Sequence, residues 1–329
     1  MASPVLRALY LDRSRRLFSL TLAAMAINLV LASLFPLWLL AFSPALWGLP
    51  HLVASLRYSA RPTDNSRGAL FALAILSVLL IAIRVWADAT ASTHWLLVDR
   101  RLEFAGLLLA VFILAASRMQ AAVSFGRLLP LFAGVLFFPR LTLGGLLYAH
   151  HFIAFFMWHR EASTRKEEQK IAGLLLLFTL AHLIIFAGYL DSLFFVFPNF
   201  MELPFAGLSL GEVGQSIFGD FVSSPIIWCR LVVAFAFGQS VHYFIWLRAI
   251  PEQRLPYSTP TSFRQSAAWL AKDLGNHGAR WAVVFTLAGS LMWFLLAFPV
   301  ARVAYISIAA YHGFIEIASL ALGRARASA

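Results

Sequence analysis

The chain has 329 residues, of which 61% are hydrophobic and only 12% are charged. No soluble domain of this size needs so much apolar surface, so the composition excludes a soluble globular protein and predicts an integral membrane protein. The formal net charge is +11, but no basic patch interleaves with exposed aromatic residues, which argues against nucleic-acid binding. Cys229 is the single cysteine, so a disulfide framework is also excluded.

Apolar stretches follow one another along almost the whole sequence. A helix needs about 20 apolar residues to cross about 30 Å of hydrocarbon, and backbone groups in lipid must bond internally. The sequence therefore predicts an all-α, polytopic helical bundle that forms a single transmembrane domain over residues 1–329. The ten predicted spans are 15–34, 37–57, 68–86, 103–117, 120–138, 141–158, 171–190, 225–247, 281–298 and 303–322.

The distribution of basic residues gives the orientation. Arginines precede the first predicted span, and further basic residues lie in 57–67, in 160–170 and in 248–280. With ten spans these segments share one side, which the positive-inside rule assigns to the cytoplasm. We therefore expect both termini and the 248–280 loop to be cytoplasmic. The 191–224 loop carries acidic residues but no lysine or arginine, and we expect it to be extracytoplasmic.

Ionisable residues inside the predicted spans are the strongest indication of function. Such groups are expensive in hydrocarbon and usually face a cavity, a metal or a proton path. The topology places them at the middle or inner half of the bilayer, on five different helices. They are His51, His150, His151, His182, His242 and His312, with Glu316 one helical turn after the last.

Metal binding is the chemistry that best suits such a set. Imidazole is a ligand for iron, copper and zinc, and a neutral ring avoids the cost of a buried charge. His312 and Glu316 are four residues apart, so they share one helix face and are either two ligands or a ligand and its orienting carboxylate. His150 and His151 diverge by about 100°, so one of them should face a common centre. We prefer His151, because His159 lies two turns further on nearly the same face.

Four motifs resemble the Brp/Blh family, the integral-membrane β-carotene dioxygenases of bacteria and archaea that make retinal. Their order along the chain is the same as in that family. They are Gly48-Leu49-Pro50-His51, His150-His151-Phe152, Val241-His242-Tyr243-Phe244 and His312-Gly313-Phe314-Ile315-Glu316. The resemblance implies a bacterial inner-membrane enzyme with non-haem Fe(II) held by histidines, acting with O₂ on an apolar polyene.

This chain departs from the family pattern at three positions. The first family motif continues with glycine and with an aspartate four residues after the histidine, where this chain has Leu52 and Ser55. The late family motif has a second histidine at the position of Trp246. Either His182 or Glu316 is a candidate to replace that second histidine.

The leading hypothesis is therefore a membrane oxygenase whose Fe(II), or another transition metal, is bound by these residues. His51, His151, His242 and His312 are the expected ligands, with His182 as a fifth ligand or a neighbour. Tyr148, Tyr243 and Tyr311 adjoin the histidines and are candidates to hydrogen-bond oxygen species. Three alternatives remain: an electron carrier with histidine-ligated haem b, a proton-coupled transporter, and a structural membrane subunit in which each histidine makes an interhelical hydrogen bond.

Overall fold

The computed structural model describes most of residues 9–60 and 139–295, isolated positions within 75–86 and 130–137, and residues 312, 313 and 316. Within 139–295 the undescribed positions are 195, 197–201, 204–207, 219–222, 256–257 and 261. The predicted span 103–117, residues 120–129 of the predicted span 120–138, and Tyr311 lie outside the described residues.

The described part of the chain is mostly helical, and it includes one pair of two-residue strands. The helices are α1 (Arg13–Leu34), α2 (Pro36–Ser43), α3 (Leu49–Ala60), α4 (Pro139–His159), α5 (Arg165–Phe186), α6 (Asp191–Phe194), α7 (Leu210–Phe218), α8 (Pro225–Phe244), α9 (Ile250–Gln253) and α10 (Phe263–Leu295). Strands β1 (Glu202–Leu203) and β2 (Leu208–Ser209) pair antiparallel. The predicted 191–224 loop thus contains short elements of its own.

Two pairs of consecutive helices are joined by a π-helical turn, in which a backbone carbonyl accepts a hydrogen bond from the amide five residues later. Segment π1 (Pro44–Gly48) joins α2 to α3, and the Leu49 N–H donates to the Pro44 carbonyl. Segment π2 (Ile245–Ala249) joins α8 to α9, and the Ile250 N–H donates to the Ile245 carbonyl. Both segments therefore continue a helix rather than end it.

Among the described residues, four helices are long and apolar enough to cross a membrane: Arg13–Leu34, Pro36–Ser55, Arg165–Phe186 and Pro225–Gln253. They overlap four of the predicted spans, and their length and hydropathy are those of membrane-spanning helices. The α1 and α5 spans leave many apolar side chains exposed, including Ile27, Leu176 and Leu183, as expected of surfaces that face lipid. The count of ten spans and the location of the termini remain predictions.

Contacts divide the chain into two compact units. The first comprises Met1–His51 and His151–Leu270, and the second Leu52–His150 and Ala271–Ala329. The first unit is organised around α8. The span Pro225–Gln253, which α8 begins, has the largest buried fraction of the four candidate spans, 61% over an apolar stretch of 18 residues. Helix α8 packs against α1, α2, α5 and α7.

A close approach fixes α7 on α8. A Cβ atom at Gly214 would lie 2.6 Å from the Cβ of Trp228, well inside van der Waals contact. Helix α7 begins with a capping box, in which Ser209 accepts from the Glu212 amide while the Glu212 carboxylate accepts from the Ser209 amide and hydroxyl. These two hydrogen bonds from Ser209 lower the pKa of Glu212, because they favour its charged form.

A cluster of charged residues lies in the first unit, near the π2 segment that connects α8 to α9. Arg16 and Glu252 form a buried ion pair, and Arg248 contacts the other Glu252 oxygen at 2.7 Å. The Arg16 guanidinium also donates to the carbonyls of Leu9, Tyr10 and Ser258. Three segments expected on the cytoplasmic side meet here, since Lys170 donates to Ser14, Gln253 to Glu167 and Arg254 to Glu161.

The start of α8 carries a different ion pair. Arg230 holds Asp191 through two guanidinium nitrogens and donates a further hydrogen bond to the Phe186 carbonyl at 3.0 Å. Gly188 lies in this connection with φ +85°, a conformation that glycine adopts without steric cost. The pair therefore anchors the α5–α6 connection to α8.

The second unit contributes parts of three helices to the described structure. Helix α3 enters it after His51, α4 leaves it after His150, and α10 continues in it from Ala271. Gly275 interrupts α10 with φ 74° and ψ 163°, so α10 consists of two helical segments that meet at a kink at this glycine. Residues 312, 313 and 316 are also helical.

Candidate metal centre

Two of the predicted ligands face each other in the first unit. The Nε2 atoms of His51 on α3 and His242 on α8 are 3.1 Å apart, and the rings meet edge to face at 83°. Both side chains are buried, with at most 1% exposure. Two neutral imidazoles can meet in this way only by sharing one N–H, whereas a metal ion can bind both lone pairs.

Aromatic side chains surround this histidine pair. The Tyr243 ring lies 5.1 Å from His51, and the Trp246 ring lies 6.0 Å from His51 and 6.4 Å from His242, between centroids. Trp246 is fully buried. The position at which the resembled family has a second histidine is therefore filled here by an indole that packs against the pair.

The second unit brings together the other two predicted ligands. The Nε2 atom of His312 is 2.8 Å from Oε1 of Glu316, one helical turn away. The Ser55 hydroxyl on α3 donates to the same carboxylate oxygen at 2.9 Å. All three side chains are buried. A metal cation bound between these side chains would offset the charge of the buried carboxylate.

A four-residue group that could hold a metal ion results: His51, His242, His312 and Glu316, all buried, with one ligand atom from each within 4.8 Å of the others. His51 and Ser55 are one turn apart on α3, and Ser55 bonds to Glu316.

The adjacent His150 and His151 point to different neighbours. The His150 ring lies 6.4 Å from the His312 ring, whereas the His151 ring lies 5.8 Å from that of His242 and 5.0 Å from Phe235. Each ring therefore lies beside a different member of the four-residue group, His150 beside His312 and His151 beside His242. The choice of His151 as a ligand remains a prediction.

His182 lies in an aromatic environment of α4, α5 and α8. Its Nδ1 atom is 2.9 Å from the Phe178 carbonyl of the preceding turn, so Nδ1 carries the proton in the neutral ring. Four phenylalanine rings lie within 6.5 Å: Phe152, Phe178, Phe186 and Phe237. The four-residue group found among the described residues does not include His182.

The three tyrosines predicted near the metal differ in their position relative to the candidate centre. Tyr243 is buried next to the His51–His242 pair. Tyr148 lies on α4 and is half-buried, two residues before His150. Tyr311 is outside the described residues. Tyr243 therefore has a described position from which its ring contacts the His51–His242 pair.

Two polar residues near the centre were missed by the sequence analysis. Ser55 was interpreted only as a departure from a family pattern, although its spacing of four from His51 places both on one helix face. Gln239 donates to the Ser43 hydroxyl at 3.0 Å, and both side chains are buried. Gln239 precedes His242 by three residues, which is the signal that could have identified it.

Gly238 determines how closely His151 approaches α8. A Cβ atom at Gly238 would lie 2.5 Å from the His151 Nδ1. We expect Gly238→Ala to displace the ring and to destabilise the protein by about 1–3 kcal/mol, as overpacking does. Thermal unfolding in detergent measures this. Gly173→Ala is the control, because nothing lies within 4 Å of a Cβ there; an equal loss in both variants would contradict the assignment.

Comparison with known proteins gives no family assignment, because no family model, no curated protein and no solved structure matches this chain. The functional interpretation therefore depends on the chemistry of the site itself.

Proposed function

We propose that this chain is a membrane-embedded non-haem iron oxygenase that acts with O₂ on an apolar, lipid-soluble substrate such as a carotenoid. The proposed ligands are His51, His242, His312 and Glu316. The observation that carries the proposal is the buried group of three imidazoles and one carboxylate whose ligand atoms lie within 4.8 Å of one another.

The separations within the group fit ligands of one ion. Two ligand atoms about 2.1 Å from a metal and at right angles to each other are about 3.0 Å apart. The His51–His242 separation of 3.1 Å and the His312–Glu316 separation of 2.8 Å are both close to this value. Axial imidazoles on opposite faces of one haem need more room than 3.1 Å, so this pair favours a bare metal ion over haem b.

The donor set and its charge favour a divalent transition metal. Histidine nitrogens with one carboxylate oxygen are the ligands of non-haem Fe(II) oxygenases, which keep further coordination positions open. A dication bound to three neutral imidazoles and the Glu316 carboxylate leaves a net charge of only +1 in a buried site. Ser55 orients the carboxylate by donating to Oε1, as outer-shell partners of metal ligands do.

Iron bound at this site would supply the activation of O₂. In this proposal Tyr243, whose ring lies 5.1 Å from that of His51, donates a hydrogen bond to oxygen species, and the buried Trp246 ring keeps water from the histidine pair. The apolar surroundings suit a substrate that enters from lipid rather than from water. Exposed apolar faces on α1 and α5 are consistent with a protein surrounded by such a substrate pool.

Co-expression with a carotenoid pathway tests the reaction. We expect cells that produce the wild-type chain to lose colour and to accumulate a shorter retinoid, whereas cells that produce His242→Ala keep the colour. The control is His182→Gln, which changes a buried histidine outside the four-residue group and should still bleach the cells. Full colour in wild-type cells, with iron present in the purified protein, would contradict the proposed substrate class.

A further inference from the structure

Both histidines of the His51–His242 pair lie next to a π-helical turn. His51 follows π1 by three residues, and His242 precedes π2 by three residues. A π-helical turn adds one residue to a helix, which rotates every following side chain by about 100° relative to an uninterrupted α-helix. Pro44 begins π1, and a proline within a helix cannot donate the usual backbone bond. The direction in which His51 points therefore depends on π1.

A buried hydrogen bond joins the two helices just before the two histidines. The Gln239 side chain donates to the Ser43 hydroxyl at 3.0 Å. Ser43 is the last residue before π1, and Gln239 lies one turn before His242. Side-chain hydrogen bonds between apolar membrane helices fix the register in which otherwise featureless surfaces pack.

We propose that the Ser43–Gln239 hydrogen bond and the π1 turn together set the register of His51 against His242, so that Ser43 and Gln239 are positioning residues of the metal centre. This inference rests on the proposed function. Sliding α2 along α8 by a fraction of a turn would separate the two Nε2 atoms, and Ser43–Gln239 is a polar contact that resists this movement. The backbone of π1 transmits the fixed position of Ser43 to His51 over eight residues.

Two serines with matched surroundings provide controls. The hydroxyls of Ser33 and Ser240 are buried, and each donates to a carbonyl four residues earlier in its own helix. Ser240 is also the direct neighbour of Gln239. Removing either hydroxyl deletes one hydrogen bond within a single helix and leaves the Ser43–Gln239 hydrogen bond between α2 and α8 in place.

Co(II) binding to the full-length protein in detergent tests the inference, because the visible bands of Co(II) report its coordination geometry. We expect Ser43→Ala and Gln239→Leu to weaken binding by about 10–100-fold, as loss of outer-shell partners does, and to change the visible bands. Ser33→Ala and Ser240→Ala should bind as wild type does, and Ser43→Thr, which keeps the hydroxyl, should restore the wild-type spectrum. The double variant Ser43→Ala/Gln239→Leu should be no weaker than either single variant, because both remove the same bond.

A second readout needs no metal. The ¹⁵N resonances of the His51 and His242 rings, assigned with single histidine variants, should shift in metal-free Ser43→Ala but not in Ser240→Ala. If wild type binds Co(II) and Ser43→Ala has the same affinity and spectrum, the positioning role is wrong while the metal centre stands. If wild type binds no Co(II), the proposed function fails, and unchanged ¹⁵N resonances in Ser43→Ala would then overturn the positioning role as well.

Discussion

Replacing His242 or His312 by alanine should lower the affinity for Fe(II) or Co(II) by at least about 100-fold, since loss of an outer-shell partner alone costs about 10–100-fold. Each variant removes one of four ligand atoms that lie within 4.8 Å of one another. It also leaves the partner atom, His51 Nε2 or Glu316 Oε1, facing a cavity. Purified variants loaded without oxygen should therefore hold far less metal than the wild-type protein, as measured by elemental analysis.

The control for these variants is a buried histidine that the four-residue group does not include. His182→Gln should keep the wild-type metal content, because the His182 Nδ1 bonds to the Phe178 carbonyl and phenylalanines surround the ring. Loss of metal from His182→Gln equal to the loss from His242→Ala would identify His182 as a ligand and would refute the proposed set. Retention of metal by both His242→Ala and His312→Ala would refute the site.

Replacing Glu252 by alanine should destabilise the protein by about 3–5 kcal/mol, because it leaves a buried arginine without its counter-charge. Arg16 is 5% exposed and Glu252 is 1% exposed, so water cannot compensate for the loss. Glu252 also contacts Arg248, and its removal leaves two like charges close together. Unfolding in detergent, followed by circular dichroism, measures the change.

An exposed ion pair on the same helix provides the comparison. Asp12 and Arg15 form an exposed pair at the start of α1, and such pairs contribute about 0–1 kcal/mol. Asp12 also caps the helix by accepting from the Arg15 amide, so Arg15→Ala is the cleaner control, because it removes the pair and keeps the cap. A loss in Glu252→Ala no greater than in Arg15→Ala would mean that the buried cluster does not anchor α1 to α9.

The members of the candidate site could be identified from the sequence because hydropathy makes them conspicuous. His51, His242, His312 and Glu316 stand out as ionisable residues in apolar segments, and their spacing places them on separate helices or on one helix face. The sequence also marks four of the spans that the described helices include. These inferences need only local composition and helical periodicity, which act over one or two turns.

Other features of the site depend on tertiary packing and could not be read in this way. The neighbours of His182 are four phenylalanines from three helices, and nothing in its own segment distinguishes that environment from a metal site. The π-helical turns depend on which backbone bonds the packed helices can form. The Ser43–Gln239 bond joins residues 196 positions apart, and Trp246 is recognisable as a packing residue only when its neighbours are known.

Elemental analysis combined with X-ray absorption of the purified wild-type protein tests the metal centre most directly. The account predicts about one transition-metal ion per chain, with a first shell of nitrogen and oxygen atoms at about 2.1 Å and the multiple-scattering pattern of several imidazoles. A protein that binds no transition metal after anaerobic loading, or one whose metal lacks imidazole ligands, would contradict it.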